Sequence, residues 1–203
     1  RMAFISICFS LVAILSISHY QASLTHELNP KKSNQVLPSL FLMDLYNYQL
    51  PEFESLVHVR HESAPLLRTR INRINSQHLS IYKTNRNLSN DYFLHREQNL
   101  SSRGTLYPTE TITQGQWFNS TDKTMEISIE SQFAKRLGIE LGDTIEFMVM
   151  GMPFEGTVTS FRRVDWTTLN PNFFMLIEPP YLDPLPLTWV SAIYSQTPNQ
   201  TQQ

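Results

Sequence analysis

The stretch Ile129–Val164, IESQFAKRLGIELGDTIEFMVMGMPFEGTVTSFRRV, holds a helix, a tight turn and a hairpin in succession. Ser128, just before it, and Ser131 are candidate helix N-caps. Phe133, Ala134 and Leu137 share one helical face, and Gly138 stands where a helix ending in a left-handed conformation takes its glycine. Gly142-Asp143 predicts a tight turn into a strand, and Gly151-Met152-Pro153 predicts the reversal that pairs this strand with FEGTVTSFRRV. The stretch carries no G-x-S-x-G serine, no Cys/His cluster and no glycine-rich loop ending in G-K-S/T, so it offers no nucleophile, metal site or phosphate cradle.

The neighbouring segments extend the β pattern. Met125–Glu130 alternates as a strand. Pro65–Asn75 alternates with Leu67, Thr69, Ile71 and Arg73 on one side, and NSQ follows it as a turn. Ser39–Tyr48 has strand character, PEFESLV after it is a short helix with Pro51 at its first turn, and Asp91–Ser101 is an extended run. SRGTLYPTET is a loop. PNFFMLIEPP supplies a buried strand and PLTWVSAIY the last one. No internal repeat recurs at a fixed period. Strands alternating with a few short helices argue an α+β, mixed α/β domain over residues 39–195, β-rich in its C-terminal half, with a polar tail at 196–203.

Of 203 residues, 41% are hydrophobic and 17% charged, and the net charge is −2, which gives no general attraction to nucleic acid. Cys8 is the single cysteine, so an intrachain disulfide is impossible and a structural zinc site has no ligand set. Met2–Ser18 contains no charged residue. It reads either as a transmembrane helix over residues 1–22, truncated at its start because the chain begins with Arg1, or as a signal peptide with Ser16-Ile17-Ser18 as its cleavage site. Residues 23–38 form a juxtamembrane helix or linker, with Leu24 and Leu28 at helical spacing and NPKKSNQ after them.

Few constellations carry chemistry. His58, His61 and Glu62 are close in sequence, but Ser63-Ala64-Pro65 ends any helix that would align them on a metal, so a solvated loop is the reading. His95 and Glu97 share a face of an extended run without a nucleophile nearby. Arg162, Arg163, Asp165 and Trp166 form a surface ion-pair cluster. Trp166, Phe173 and Phe174 pack in the core or, as the lesser alternative, line a hydrophobic ligand groove. Asn-x-Ser/Thr sequons occur at Asn87, Asn99, Asn119 and Asn199. Catalytic, cofactor-binding and metal-ligating residues are therefore all expected to be none.

IESQFAKRLGIELGDTIEFMVMGMPFEGTVTSFRRVDWTTLNPNFFMLIEPPYLDPLPLTWVSAIY, with PLLRTRINRINSQ, HREQNLS and ITQGQWF upstream in that order, resembles the extracytoplasmic, MacB-like domain of FtsX-like permease subunits of ABC transporters, within them the YbbP-like group. The similarity covers about Pro65 to Tyr194. YKTNRNLSND departs from it as a variable polar loop. The resemblance implies a bacterial inner-membrane protein with its main domain on the periplasmic side and the bilayer itself as a partner. It implies a cytoplasmic ABC ATPase subunit that binds the ATP, and lipophilic cargo or a periplasmic partner protein. The opening segment would then be the helix leading into the domain, not a signal peptide. Further helices would have to follow, so the chain reads as a fragment that does not transport alone.

Two other functions compete with this permease role of coupling ATP-driven motion to export or handling of lipophilic cargo. One is a secreted or membrane-anchored binding or adhesion module. The other is a periplasmic lipid-active enzyme, which lacks an identifiable nucleophile and base.

Overall fold

A computed structural model describes residues 2–27, 37–88, 94, 96–119, 124–182 and 185–194. The chain divides into two compact units, Arg1–Leu37 and Pro38–Gln203. The first contains helix α1, Met2–Glu27, with 26 residues. This corrects the transmembrane expectation. Among the described residues no helix is long and apolar enough to cross a membrane. The apolar run is broken by Ser10, Ser16, Ser18, His19 and Gln21, and a bilayer core needs about 20 consecutive apolar residues. The Ser16 hydroxyl returns to the Val12 carbonyl at 2.8 Å.

The second unit corrects the α+β expectation too, because it is β-rich throughout. Its strands are β1 (Leu40–Tyr46), β2 (His61–Ile74), β3 (Gln77–His78), β4 (Gln98–Ser102), β5 (Glu110–Gly115), β6 (Glu126–Glu130), β7 (Thr144–Val149), β8 (Met152–Val164), β9 (Met175–Ile177) and β10 (Thr188–Ile193). The helices α2 (Leu50–Leu56), α3 (Leu79–Asn85), α4 (Ser131–Leu137) and α5 (Pro179–Leu182) are short.

A ring closes through the pairings β2–β7, β7–β8, β8–β6, β6–β9, β9–β4 and β4–β2, a six-stranded barrel. β4–β9 and β6–β8 are parallel and the other ring pairs antiparallel. Closure leaves these strands without the unpaired edges of an open sheet. The first half of β2 leaves the ring to pair with β10, which pairs with β1, and β5 is added along the end of β8.

Alternation explains β2. Leu67, Thr69 and Ile71 are buried while Arg68 and Arg70 are exposed. Arg73 does not join Leu67, Thr69 and Ile71, because a bulge between Ile71 and Arg73 adds a residue against β7 and turns Arg73 out and Ile74 in. Asn75 and Ser76, both at positive φ, make the turn expected from NSQ. The barrel core contains Ile127, Ile129, Ile145, Phe147, Met175 and Ile177, and Phe133, Ala134 and Leu137 of α4 close against it.

α4 lies where expected, but neither serine caps it. The Glu130 carboxylate accepts from the backbone N–H groups of Gln132 at 3.0 Å and Phe133 at 2.7 Å, while Ser128 lies inside β6. Gly138 ends the helix at φ +65°. Gly142 lies at φ +87°, and its N–H donates to the Val158 carbonyl at 2.8 Å. A Cβ at Gly142 meets nothing within 4 Å, so the cost of a side chain there is purely conformational. Gly142→Val is expected to cost about 1–2 kcal/mol in urea denaturation, and Gly142→Asn clearly less, since Asn tolerates the left-handed region. Equal losses would contradict a φ-based role.

Candidate functional site

The parallel pair β4–β9 begins at Leu100 opposite Met175. Before that point the two segments part, and a cleft of about 540 Å³ is lined from one side by Arg96, Glu97, Gln98 and Asn99 and from the other by Asn172, Phe173 and Phe174. Arg68 and Arg70, on the outer face of β2, and Trp166 complete it. The structure thus brings together Trp166, Phe173 and Phe174, and divides them between the two readings. Phe173 is buried against Ala64, Leu66, Leu176 and Val190. Trp166 is 43% exposed. Phe174 links cleft to core, with its ring 5.1 Å from Trp166 and stacked 4.7 Å from Phe133.

The segment carrying these aromatics is held firmly. The Asp165 carboxylate accepts from the Thr167 N–H at 3.0 Å and from its hydroxyl at 2.6 Å, capping the short turn 166–168. The Glu130 N–H donates to the Phe174 carbonyl at 2.8 Å. The Arg162 guanidinium donates to the Phe173 carbonyl.

Arg162 corrects the expected surface cluster. Arg163 and Asp165 are exposed, but Arg162 is completely buried. Its Nε donates to Glu110 Oε1 at 3.2 Å and its Nη1 to the Ser128 carbonyl at 2.8 Å. Arg103 reaches the same Glu110 oxygen at 2.7 Å and lies over the Tyr107 ring at 3.8 Å. Burial pulls the Arg162 guanidinium down from 12.5 to about 10, against the opposing pull of Glu110. Sequence alternation carries a signal for this: Val158, Ser160, Arg162 and Val164 fall on one face of β8, and all are buried.

The remaining candidates do not assemble into a site. His61 Nδ1 lies 3.1 Å from the Val59 carbonyl, and Glu62 pairs with Arg60 at 2.6 Å. No group of three or more potential metal ligands occurs among the described residues. Glu97 pairs with Arg70 at 3.5 Å, while His95 lies outside the described residues. Of the sequons, Asn87 follows α3, Asn99 lines the cleft, Asn119 follows Trp117-Phe118, and Asn199 lies outside the described residues.

Tyrosines give the domain a pH limit. Burial raises Tyr82, Tyr107 and Tyr194, the last to about 12. An unfolded tyrosine ionises near 10, so between about pH 10 and 12 the folded state holds more protons and stability falls as pH rises. Arg162 acts oppositely in that window, because it releases its proton earlier when folded. Tyr194→Phe removes one tyrosine contribution and leaves Arg162 in place, so between about pH 9 and 11 the unaltered chain is expected to lose more Tm than this variant. Equal changes of Tm in the two chains would contradict this role of Tyr194.

No family model matches the chain. Over 160 residues, 76% of this chain, the sequence is 32% identical to an uncharacterized ABC transporter permease YbbP of Escherichia coli (strain K12). This chain is related to a segment of an ABC transporter permease. The matched part is 18% of the permease's own length, so the chain spans a small part of that relative.

Proposed function

We propose that this chain is the extracytoplasmic, MacB-like domain of an FtsX-like permease subunit of an ABC transporter. The similarity to the YbbP permease carries this reading. In it the domain faces the periplasm at the bacterial inner membrane, and a cytoplasmic ATPase subunit supplies the energy. The domain has a non-enzymatic role: it passes ATP-driven motion on to lipophilic cargo or to a periplasmic partner protein. The closed barrel suits that role, since a ring of paired strands moves as one body. The segment 165–174, tied to the barrel by Glu130 and Arg162, would move with it.

The test uses the full-length permease with its ATPase. Deleting the segment equivalent to residues 38–194 is expected to abolish stimulated ATPase activity or transport while the complex still assembles. Full activity after deletion would overturn the coupling role. ATP turnover by this chain alone would overturn the assignment itself, since nucleotide phosphates need a cradle of backbone N–H groups and a lysine that its sequence does not offer.

A further inference from the structure

The cleft between β4 and residues 166–174 combines two chemistries. One wall is cationic, with Arg68, Arg70 and Arg96 against the single carboxylate of Glu97. The other is apolar and aromatic, with Trp166, Phe173 and Phe174. The ion pairs along it are weak. Arg68 meets Asp44 at 2.8 Å and Arg70 meets Glu97 at 3.5 Å, and all four side chains are more than half exposed. Such exposed pairs contribute little, so an incoming anion displaces them easily.

An independent observation comes from Asn172. Both its Oδ1 and its Nδ2 are buried without a hydrogen-bond partner. A buried amide left unpaired is costly. This one belongs to a residue that lines the cleft, and its side chain must turn outward before a ligand there can meet it.

We propose that this cleft binds a single-chain amphiphile with an oxyanion head, the head on the Arg68/Arg70 wall with the Asn172 amide turned toward it, the chain along Trp166 and Phe174. Guanidinium groups match the planar or forked oxygens of carboxylate and phosphate and bind them through charge-assisted hydrogen bonds. An amide offers both a donor and an acceptor, which suits a head in either protonation state. The aromatic wall removes the first part of the chain from water. A volume of about 540 Å³ falls within the roughly 300–1,000 Å³ of small-molecule sites. That size favours a small amphiphile over a protein segment. The inference deepens the cargo part of the proposed function. It is tested on this chain alone, so its failure is separate from failure of the deletion test on the full permease.

The probes are decanoate and decyl phosphate, titrated below their aggregation limits into the full chain by calorimetry, with Trp166 emission followed in a Trp117→Phe/Trp189→Phe background. Saturable binding of either probe supports the proposal, and the stronger of the two identifies the head. Arg70→Gln is expected to weaken binding about tenfold, the loss of one charge-assisted contact. Asn172→Leu is expected to weaken it severalfold while leaving the ligand-free Tm unchanged or raised, because it removes the unpaired amide. Arg70 is 70% exposed, so its variant keeps the test decisive if Asn172→Leu folds poorly.

Several results would overturn the proposal. One is equal binding of decanol or decyltrimethylammonium, which would remove the anion. Another is equal binding of acetate and inorganic phosphate, which would remove the chain. A third is affinity unchanged by Arg70→Gln, which would place the amphiphile elsewhere, as on the exposed apolar side chains of α1. Binding of an acidic peptide in an Arg70-dependent way, with no binding of either amphiphile, would assign the cleft to a protein partner.

Discussion

Arg162→Ala is expected to destabilise the domain by about 3–5 kcal/mol, the range for breaking a buried ion pair by removing one partner. The guanidinium is fully buried, and three acceptors depend on it: Glu110 Oε1 and the carbonyls of Ser128 and Phe173. Alanine removes this donor from both carbonyls and opens a cavity in the barrel wall. Glu110 keeps Arg103 at 2.7 Å, so its charge is not abandoned, which argues for the lower half of the range. Glu110→Ala removes the anion and leaves Arg162 and Arg103 facing each other. It is expected to cost at least as much. Urea denaturation measures both. A loss below 1 kcal/mol for Arg162→Ala would mean that the buried network is replaceable by water. Because Arg162 also holds the Phe173 carbonyl, the aromatic segment should loosen first, seen as faster amide exchange through residues 166–174.

Gly115→Ala is expected to cost about 2–4 kcal/mol. A Cβ there would lie 2.1 Å from the Thr159 carbonyl oxygen and 3.1 Å from Ser160 Cα, and the residue has φ +73°. The obstacle is backbone on a paired strand, so no rotamer relieves it, and the left-handed conformation adds its own penalty. The neighbouring register shift between Ile112 and Gln114 shows how β5 bends there to stay on β8. Gly104→Ala is the control, since its Cβ meets nothing within 4 Å and its φ is not positive. Similar Tm values for the two variants would rule out the clash.

Local chemistry was readable where it was self-contained. The glycine stop of α4 at Gly138 and the Gly142-Asp143 turn depend on a few adjacent residues, and each lies where the pattern put it. The reversal falls at Met150-Gly151, one residue before the expected Gly151-Met152-Pro153, and β2 begins at His61, four residues before the expected Pro65. The closed ring was not readable. It depends on the parallel pairs β4–β9 and β6–β8, whose partners are distant in sequence and leave no local signature. The cap of α4 departs from the serine preference because the strand before the helix aims the Glu130 carboxylate at its first N–H groups. Arg162 departs from the expectation because an arginine is usually at the surface, whereas its position on β8 puts it on the buried face with Val158 and Val164. The cleft was half legible: Trp166, Phe173 and Phe174 are adjacent, but Arg68, Arg70 and Asn172 join them only through the fold.

The pairing of β10 with β2 sets an order of assembly. His61 aligns with Ile193 and Leu66 with Thr188, so two strands more than 120 residues apart must meet. During synthesis, β1 and the first half of β2 emerge early and wait for a neighbour made more than 120 residues later. Until residue 193 has left the ribosome their backbone groups have no partner there, and a chain paused or cut before Thr188 exposes both as sticky edges. Such shortened chains are expected to aggregate rather than to persist as smaller folded domains.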